Sequence, residues 1–164
     1  QPVNGRKATI LGLEVAFEQQ FTFLPGALSG LGLGANLTVV DSELEIPDGD
    51  GGFRTTRFAE QSNLLFGIQL FYQRGPVEAS VAYHHTGRAL ISAAREEFED
   101  QYNDDFRRLD AKFQFRLNRN AAVFVEAQNL TDEPTRQYQG GRRDWVIQEE
   151  RYGRTIWAGA SLSL

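Results

Sequence analysis

The sequence predicts an all-β fold, an antiparallel up-and-down meander of about seven strands. Three observations predict it: apolar and polar residues alternate with a period of two in segment after segment, no stretch reads as a helix, and short and long connections alternate. The clearest alternation runs from Arg108 to Leu117. There Arg108, Asp110, Lys112, Gln114 and Arg116 interleave with Leu109, Ala111, Phe113, Phe115 and Leu117. A helix would scatter those five apolar residues around its circumference, whereas a strand puts them on one face.

The other strands follow in chain order. Residues 6–21 set Leu11, Leu13, Val15 and Phe17 against Gly12, Glu14, Ala16 and Glu18. Residues 31–44 set Leu31, Leu33, Ala35, Leu37 and Val39 against small and polar partners. Residues 59–74 are softer: Leu64, Phe66, Ile68, Leu70 and Tyr72 face one way, but Leu65 and Phe71 are apolar exceptions on the other. Residues 76–91 carry Val77, Ala79, Val81 and Tyr83, residues 106–118 hold the clearest repeat, and residues 120–131 carry Ala121, Val123, Val125 and Ala127 against Glu126 and Gln128. Residues 152–164 close the chain with Ile156, Ala158, Ala160, Leu162 and Leu164.

Arg74-Gly75-Pro76 and Asn118-Arg119-Asn120 are tight turns, and 23–30 is a modest Pro/Gly loop. The segments 45–58, 92–105 and 131–151 are long, and loops of that length either bind something or are disordered. In a meander, successive connections lie at opposite ends, so all three long loops fall on one side. Short turns at one rim and long loops at the other are the layout of an outer-membrane β-barrel. The apolar residues would then touch lipid, with Tyr72, Tyr83, Phe113, Phe115 and Tyr152 available near the interfaces, and the polar residues would line a lumen. A soluble β-sandwich module uses the same alternation with a wetted polar face, but has no need of the loop asymmetry.

Composition narrows the function. The 164 residues carry 17 Lys and Arg against 22 Asp and Glu, a net charge of −5 that is the wrong sign for a nucleic-acid partner. With no Cys, thiolate catalysis, disulfides, zinc–thiolate sites and iron–sulfur clusters are excluded. The longest apolar runs fall far short of the roughly 18 residues of a membrane helix. The chain begins Gln1-Pro2-Val3 and lacks Met, so sequence upstream is expected.

Four fragments carry a resemblance: Gly12-Leu13-Glu14, Leu24-Pro25-Gly26, Asn129-Leu130-Thr131-Asp132 and, about 20 residues on, Tyr152-Gly153-Arg154-Thr155 opening the last strand. With these in this order, the chain resembles the C-terminal β-barrel segment of a TonB-dependent outer-membrane receptor of Gram-negative bacteria. The resemblance implies one part of a transmembrane barrel of about 22 strands, with the plug domain and TonB-binding box absent from this chain. It implies active uptake of a scarce ligand, such as a siderophore-bound iron, cobalamin, haem or an oligosaccharide, with energy from TonB. The implied partners are outer-membrane lipid and lipopolysaccharide, TonB through the upstream region, the barrel-assembly machinery through the last strand, and a small-molecule ligand. The family's final residue is usually aromatic; here it is Leu164. A passive porin-like barrel is the alternative that predicts no plug upstream.

No residue set reads as catalytic, and no cofactor is expected. His84 and His85 are adjacent, so a strand points them to opposite faces. Asp48-Gly49-Asp50-Gly51-Gly52 lacks the ligands of an EF-hand and reads as a solvated turn. The acidic run Glu96, Glu97, Glu99, Asp100, Asp104 and Asp105 reads as a solvated charge run with divalent-cation binding as the sharper alternative. Tyr138, Arg142, Arg143 and Trp145 are the candidate ligand-binding residues of the external loops, since planar donors beside aromatic surface suit an anionic or sugar-like ligand. Arg108, Asp110, Lys112, Gln114, Arg116, Glu126 and Gln128 are the expected lumen lining.

Overall fold

Alternation of this kind leaves each strand with one apolar and one polar edge of side chains, and pairing such strands in register sorts the two kinds onto opposite faces of a sheet. The computed structural model, which describes residues 6–163, does this on a large scale. Its strands are β1 (Ala8–Gln20), β2 (Leu31–Pro47), β3 (Phe53–Thr56), β4 (Leu64–Arg74), β5 (Val77–Thr86), β6 (Ala89–Ser92), β7 (Gln101–Asn103), β8 (Phe106–Arg116), β9 (Ala121–Gln128), β10 (Thr135–Gln139), β11 (Arg142–Glu150) and β12 (Thr155–Leu162). Single 3-10 turns occur at Gly26–Gly30 and Glu97–Glu99. The long strands form one antiparallel sheet in the order β1-β2-β4-β5-β8-β9-β12, with β3 folded back on β2. The fold is all-β and antiparallel.

Register fixes the faces. Val81 lies opposite Leu70 on one side and Ala111 on the other, Phe113 lies opposite Ala79 and Val125, and Val125 in turn lies opposite Ala158. The apolar residues therefore form one continuous face from Leu13 on β1 to Leu162 on β12. None of the described residues covers that face: Leu13 is 63% exposed, Leu70 53%, Val81 49% and Ile156 65%. On the opposite face Glu78 pairs with Arg116 at 2.7 Å and Lys112 with Glu126 at 3.0 Å, both across neighbouring strands. The apolar exceptions there have a local reason. Phe71 lies over Gly32 and Phe124 over Gly159, so close that a Cβ on either glycine would come within 2.2 Å and 2.6 Å of the ring. Each ring fills the gap its glycine leaves on the sheet.

The turns at one end are short. Gly75, at φ +59°, takes the first place of the two-residue β4–β5 turn, where a positive φ matches the twist of the strands. At the other end the long segments are ordered and hold short strands of their own. They carry β3, β7, β10 and β11, and the last three join β6 in a second antiparallel sheet of order β11-β10-β7-β6. The strand expected over 59–74 begins at Leu64, because Ala59 and Ser62 bridge to Leu90 and Ala89 instead. The one expected over 76–91 breaks at Gly87 and Arg88 and resumes as β6 in the second sheet. The terminal Leu164 and the opening Gln1-Pro2-Val3 lie outside the described residues.

Candidate functional site

The second sheet holds the tightest packing among the described residues. Tyr138 on β10 is fully buried and stacks on Tyr102 of β7, with ring centroids 5.4 Å apart and an angle of 15°. Leu90 on β6 and Asp100 just before β7 are also buried, at 2% and 1% exposure. A buried carboxylate needs a partner. Arg54 of β3 supplies a two-pronged one: Nη1 donates to Asp100 Oδ2 at 3.0 Å and Nη2 to Oδ1, while Nη2 also donates to the Ala94 carbonyl at 2.7 Å. The Ala94 N–H donates to Asp100 Oδ1 at 2.8 Å, and the Gly140 N–H to the Asp100 carbonyl at 2.8 Å. One aspartate thus joins all three long segments.

These contacts rearrange the expected ligand-binding set. Tyr138 is interior to the small sheet and reaches no ligand, a correction to its expected role. Arg142, Arg143 and Trp145 stay on the surface of the β10–β11 hairpin, but their cations are engaged. Arg142 lies over the Trp145 ring at 4.4 Å and pairs with Asp144 at 3.0 Å, holding that carboxyl below its ordinary value. Arg143 pairs with Asp105 at 2.8 Å and Asp104 at 3.2 Å. Burial by itself would raise the Asp105 carboxyl; the Arg143 hydrogen bond and charge outweigh it and set it below its ordinary value. The three aspartates of the acidic run are likewise taken up in pairs: Asp100 with Arg54, Asp104 with Arg136 and Arg143, Asp105 with Arg107 and Arg143. Among the described residues no three His, Asp or Glu side chains are grouped to hold a metal ion.

The expected lumen set shares one face. Arg108, Asp110, Lys112, Gln114 and Arg116 lie opposite His84, Ala82, Ser80, Glu78 and the turn, and Lys112 lies opposite Glu126. Trp157 on β12 donates its indole N–H to Glu126 at 3.1 Å. His84 lies on this face, while His85 stacks on Phe66 on the other, at 5.1 Å.

No family model, curated protein or solved structure matches this chain.

The two fragments NLTD and YGRT, far apart in sequence, meet in space. Asn129 adopts φ +52°, tolerable for Asn, and closes the base of the β9–β12 excursion. Its Nδ2 donates to the carbonyls of Glu133 at 3.1 Å and Gly153 at 3.3 Å, its Oδ1 accepts the Glu133 N–H, and its own N–H donates to Asp110 Oδ1 at 3.0 Å.

A cavity of about 280 Å³ opens between the β2–β3 hairpin and the second sheet. Ser42, Leu90 and Asp100 form its floor, with Arg54, Gln61 and Tyr102 in its walls. Burial, with the charges of Asp100 and Glu97 adding, raises the Tyr102 phenol, so it remains a neutral hydroxyl in neutral solution. Sequence alone pointed neither to Arg54 nor to Tyr102. The signal for the latter was the repeat of Gln-Tyr-Asn at 101–103 and Gln-Tyr-Gln at 137–139, the two strand segments that pair with Tyr102 opposite Tyr138.

Proposed function

We propose that this chain is part of the wall of a large outer-membrane β-barrel, the C-terminal segment of a TonB-dependent receptor that takes up a scarce small ligand. One observation carries the reading: a single-layer sheet with an apolar face on which none of the described residues packs. Seven strands about 4.8 Å apart, each with an apolar stretch about 24 Å long, make a patch on the order of 700 Å², above the roughly 300–600 Å² of the largest patches on soluble monomers. In lipid the same face needs no cover.

Further features support it. Tyr72, Phe113 and Phe115 sit toward the short-turn end of the apolar face and Phe66 and Tyr83 toward the long-segment end, with the aliphatic row of Leu70, Val81 and Ala111 between them, an order of aromatic, aliphatic and aromatic rows that suits interfacial girdles. A soluble β-sandwich would bury this face under a second layer, and a passive porin would share the face but need no plug. In this reading the polar face lines the lumen, the second sheet lies on the external side, and β1 and β12 each present a free edge to strands contributed by the rest of the barrel.

Reading the gene upstream of the Gln1 codon tests the proposal. A signal peptide, a TonB box, a plug and further alternating strands are the expected result. A start codon directly upstream with no plug overturns receptor function.

A further inference from the structure

We infer that the outer edge of the β10–β11 hairpin is a pairing surface for a second copy of this chain, β11 meeting β11 as antiparallel edge strands. The inference goes beyond the uptake reading and does not rest on it, because it concerns an edge of the second sheet and not the wall.

β11 ends the second sheet: it pairs with β10 on one side and with no described strand on the other. A free strand edge presents a row of unpaired N–H and C=O groups, a template for further pairing. Such edges are ordinarily blunted by Lys, by Pro or by being very short. β11 is nine residues long and contains neither residue, and Trp145, Val146 and Ile147 at its centre are 42%, 42% and 44% exposed. Its register with β10 shifts on either side of the Tyr138–Val146 pair, yet all nine residues remain strand.

The order of charges along β11 selects the partner. Arg142 and Arg143 begin the strand and Glu149 and Glu150 end it, so the segment is complementary to itself when reversed. An antiparallel pair centred on Val146 sets Arg142 opposite Glu150 of the second copy, Arg143 opposite Glu149, Asp144 opposite Gln148, Trp145 opposite Ile147, and Val146 opposite itself. Opposite charges and apolar residues that face each other across strands stabilise a pair, and like charges destabilise it. Other registers lose the match: centring on Trp145 leaves Glu150 facing Gly140, centring on Ile147 sets Asp144 against Glu150, and a parallel pair sets Arg on Arg. Arg143 and Glu149 are already engaged within the chain. Glu150 accepts from Gln148 and Tyr152 but has no ion pair among the described residues, and Arg142 pairs with the exposed Asp144, so Arg142 with Glu150 is the ion pair that dimerisation adds. The same edge is used on both copies, so pairing closes at two. One nine-residue edge is small beside the roughly 1,200–2,000 Å² of stable complexes, so the dimer is weak and concentration-dependent.

This chain has no Cys, so single cysteines report the pairing. The test uses the full-length protein, with any upstream Cys changed to Ser, in detergent micelles, where each copy is free to take the orientation that pairing sets. Under copper–phenanthroline oxidation, Val146→Cys is expected to cross-link to a dimer roughly tenfold faster than Gln148→Cys, because residue 146 faces its own counterpart within disulfide reach whereas the two residues 148 lie about 14 Å apart along the strands. Arg142→Glu, which sets like charges opposite each other twice, is expected to slow the cross-linking of Val146→Cys about tenfold, and adding Glu150→Arg to restore it. An unchanged thermal melt of each variant shows that the fold is retained. Cross-linking at 146 no faster than at 148, or no recovery with the reversed charge pair, overturns the inference. The uptake reading fails separately: a protein that fractionates with the soluble proteins refutes the barrel whatever the cross-linking shows.

Discussion

An arginine placed in the middle of the apolar face measures what that face touches. Val81 is the third of five outward residues on β5, with Val77 and Ala79 below it and Tyr83 and His85 above. Four residues at about 3.4 Å each place it about 14 Å along the strand from either end of the row, and a tilt near 40° makes that about 10 Å of depth. At such depth a lipid-facing arginine costs about 2–4 kcal/mol, a shift of roughly 30- to 900-fold in the folding equilibrium. On a wetted face, a half-exposed valine replaced by arginine changes stability by only about 0.5 kcal/mol. Ala82→Arg, one residue along, faces the other way, opposite Asp110 and Gln69, where a new pair of opposite charge contributes about 0.2–1 kcal/mol. The assay is urea unfolding of the full-length protein in liposomes, followed by tryptophan fluorescence. If Val81→Arg costs less than about 1 kcal/mol, or no more than Ala82→Arg, the apolar face does not meet lipid and the argument fails.

Removing Arg54 strands a buried carboxylate, so Arg54→Ala is expected to cost about 3–5 kcal/mol locally; hydrogen exchange should report it as lost protection at Tyr102 and Gly140 while the amides of β5 and β8 stay protected. Asn129→Gly keeps the backbone free to adopt φ +52° but deletes the side-chain bonds to Glu133 and Gly153, and should cost about 2 kcal/mol, read as faster proteolysis within 131–151. Because the Asp105 carboxyl in the folded state titrates below its ordinary 3.8, its contribution is present above that value and is lost as pH falls through the lower folded value. Hydrogen exchange in the second sheet should therefore accelerate as pH falls below that ordinary value, and Arg143→Leu should flatten that dependence.

The long strands were legible because each has one environment on each side: a single-layer sheet with two unlike faces writes its period into the sequence, as in 108–117. The second sheet was not. β7 has three residues and β6 four, too few for a period to register, and both exist only because partners distant in sequence hold them. Tyr138 illustrates the error: a tyrosine among Gln, Gly and Arg reads as a ligand contact, yet its ring is claimed by Tyr102, 36 positions earlier. Arg54 and Asp100, 46 positions apart, left no local trace at all. Asn129 was noticed as part of a motif, but its work in joining two loop ends becomes visible only when Gly153 is brought beside it.

That junction has an engineering consequence. A chain segment that leaves and re-enters a wall through one doorway is detachable from the wall in a combinatorial sense: β9 and β12 keep their pairing whatever hangs between them. Within the hairpin tip, Gly141, with positive φ and open space where a Cβ would sit, is the natural splice point, since Gly140 beside it is held to Asp100. Foreign peptides grafted at that tip, beyond the Tyr138 ring and the Gly140 N–H that hold the hairpin to β7 and Asp100, should be carried as cargo with β9 and β12 still paired, which makes the tip the place where variants with new surface specificity are most readily built.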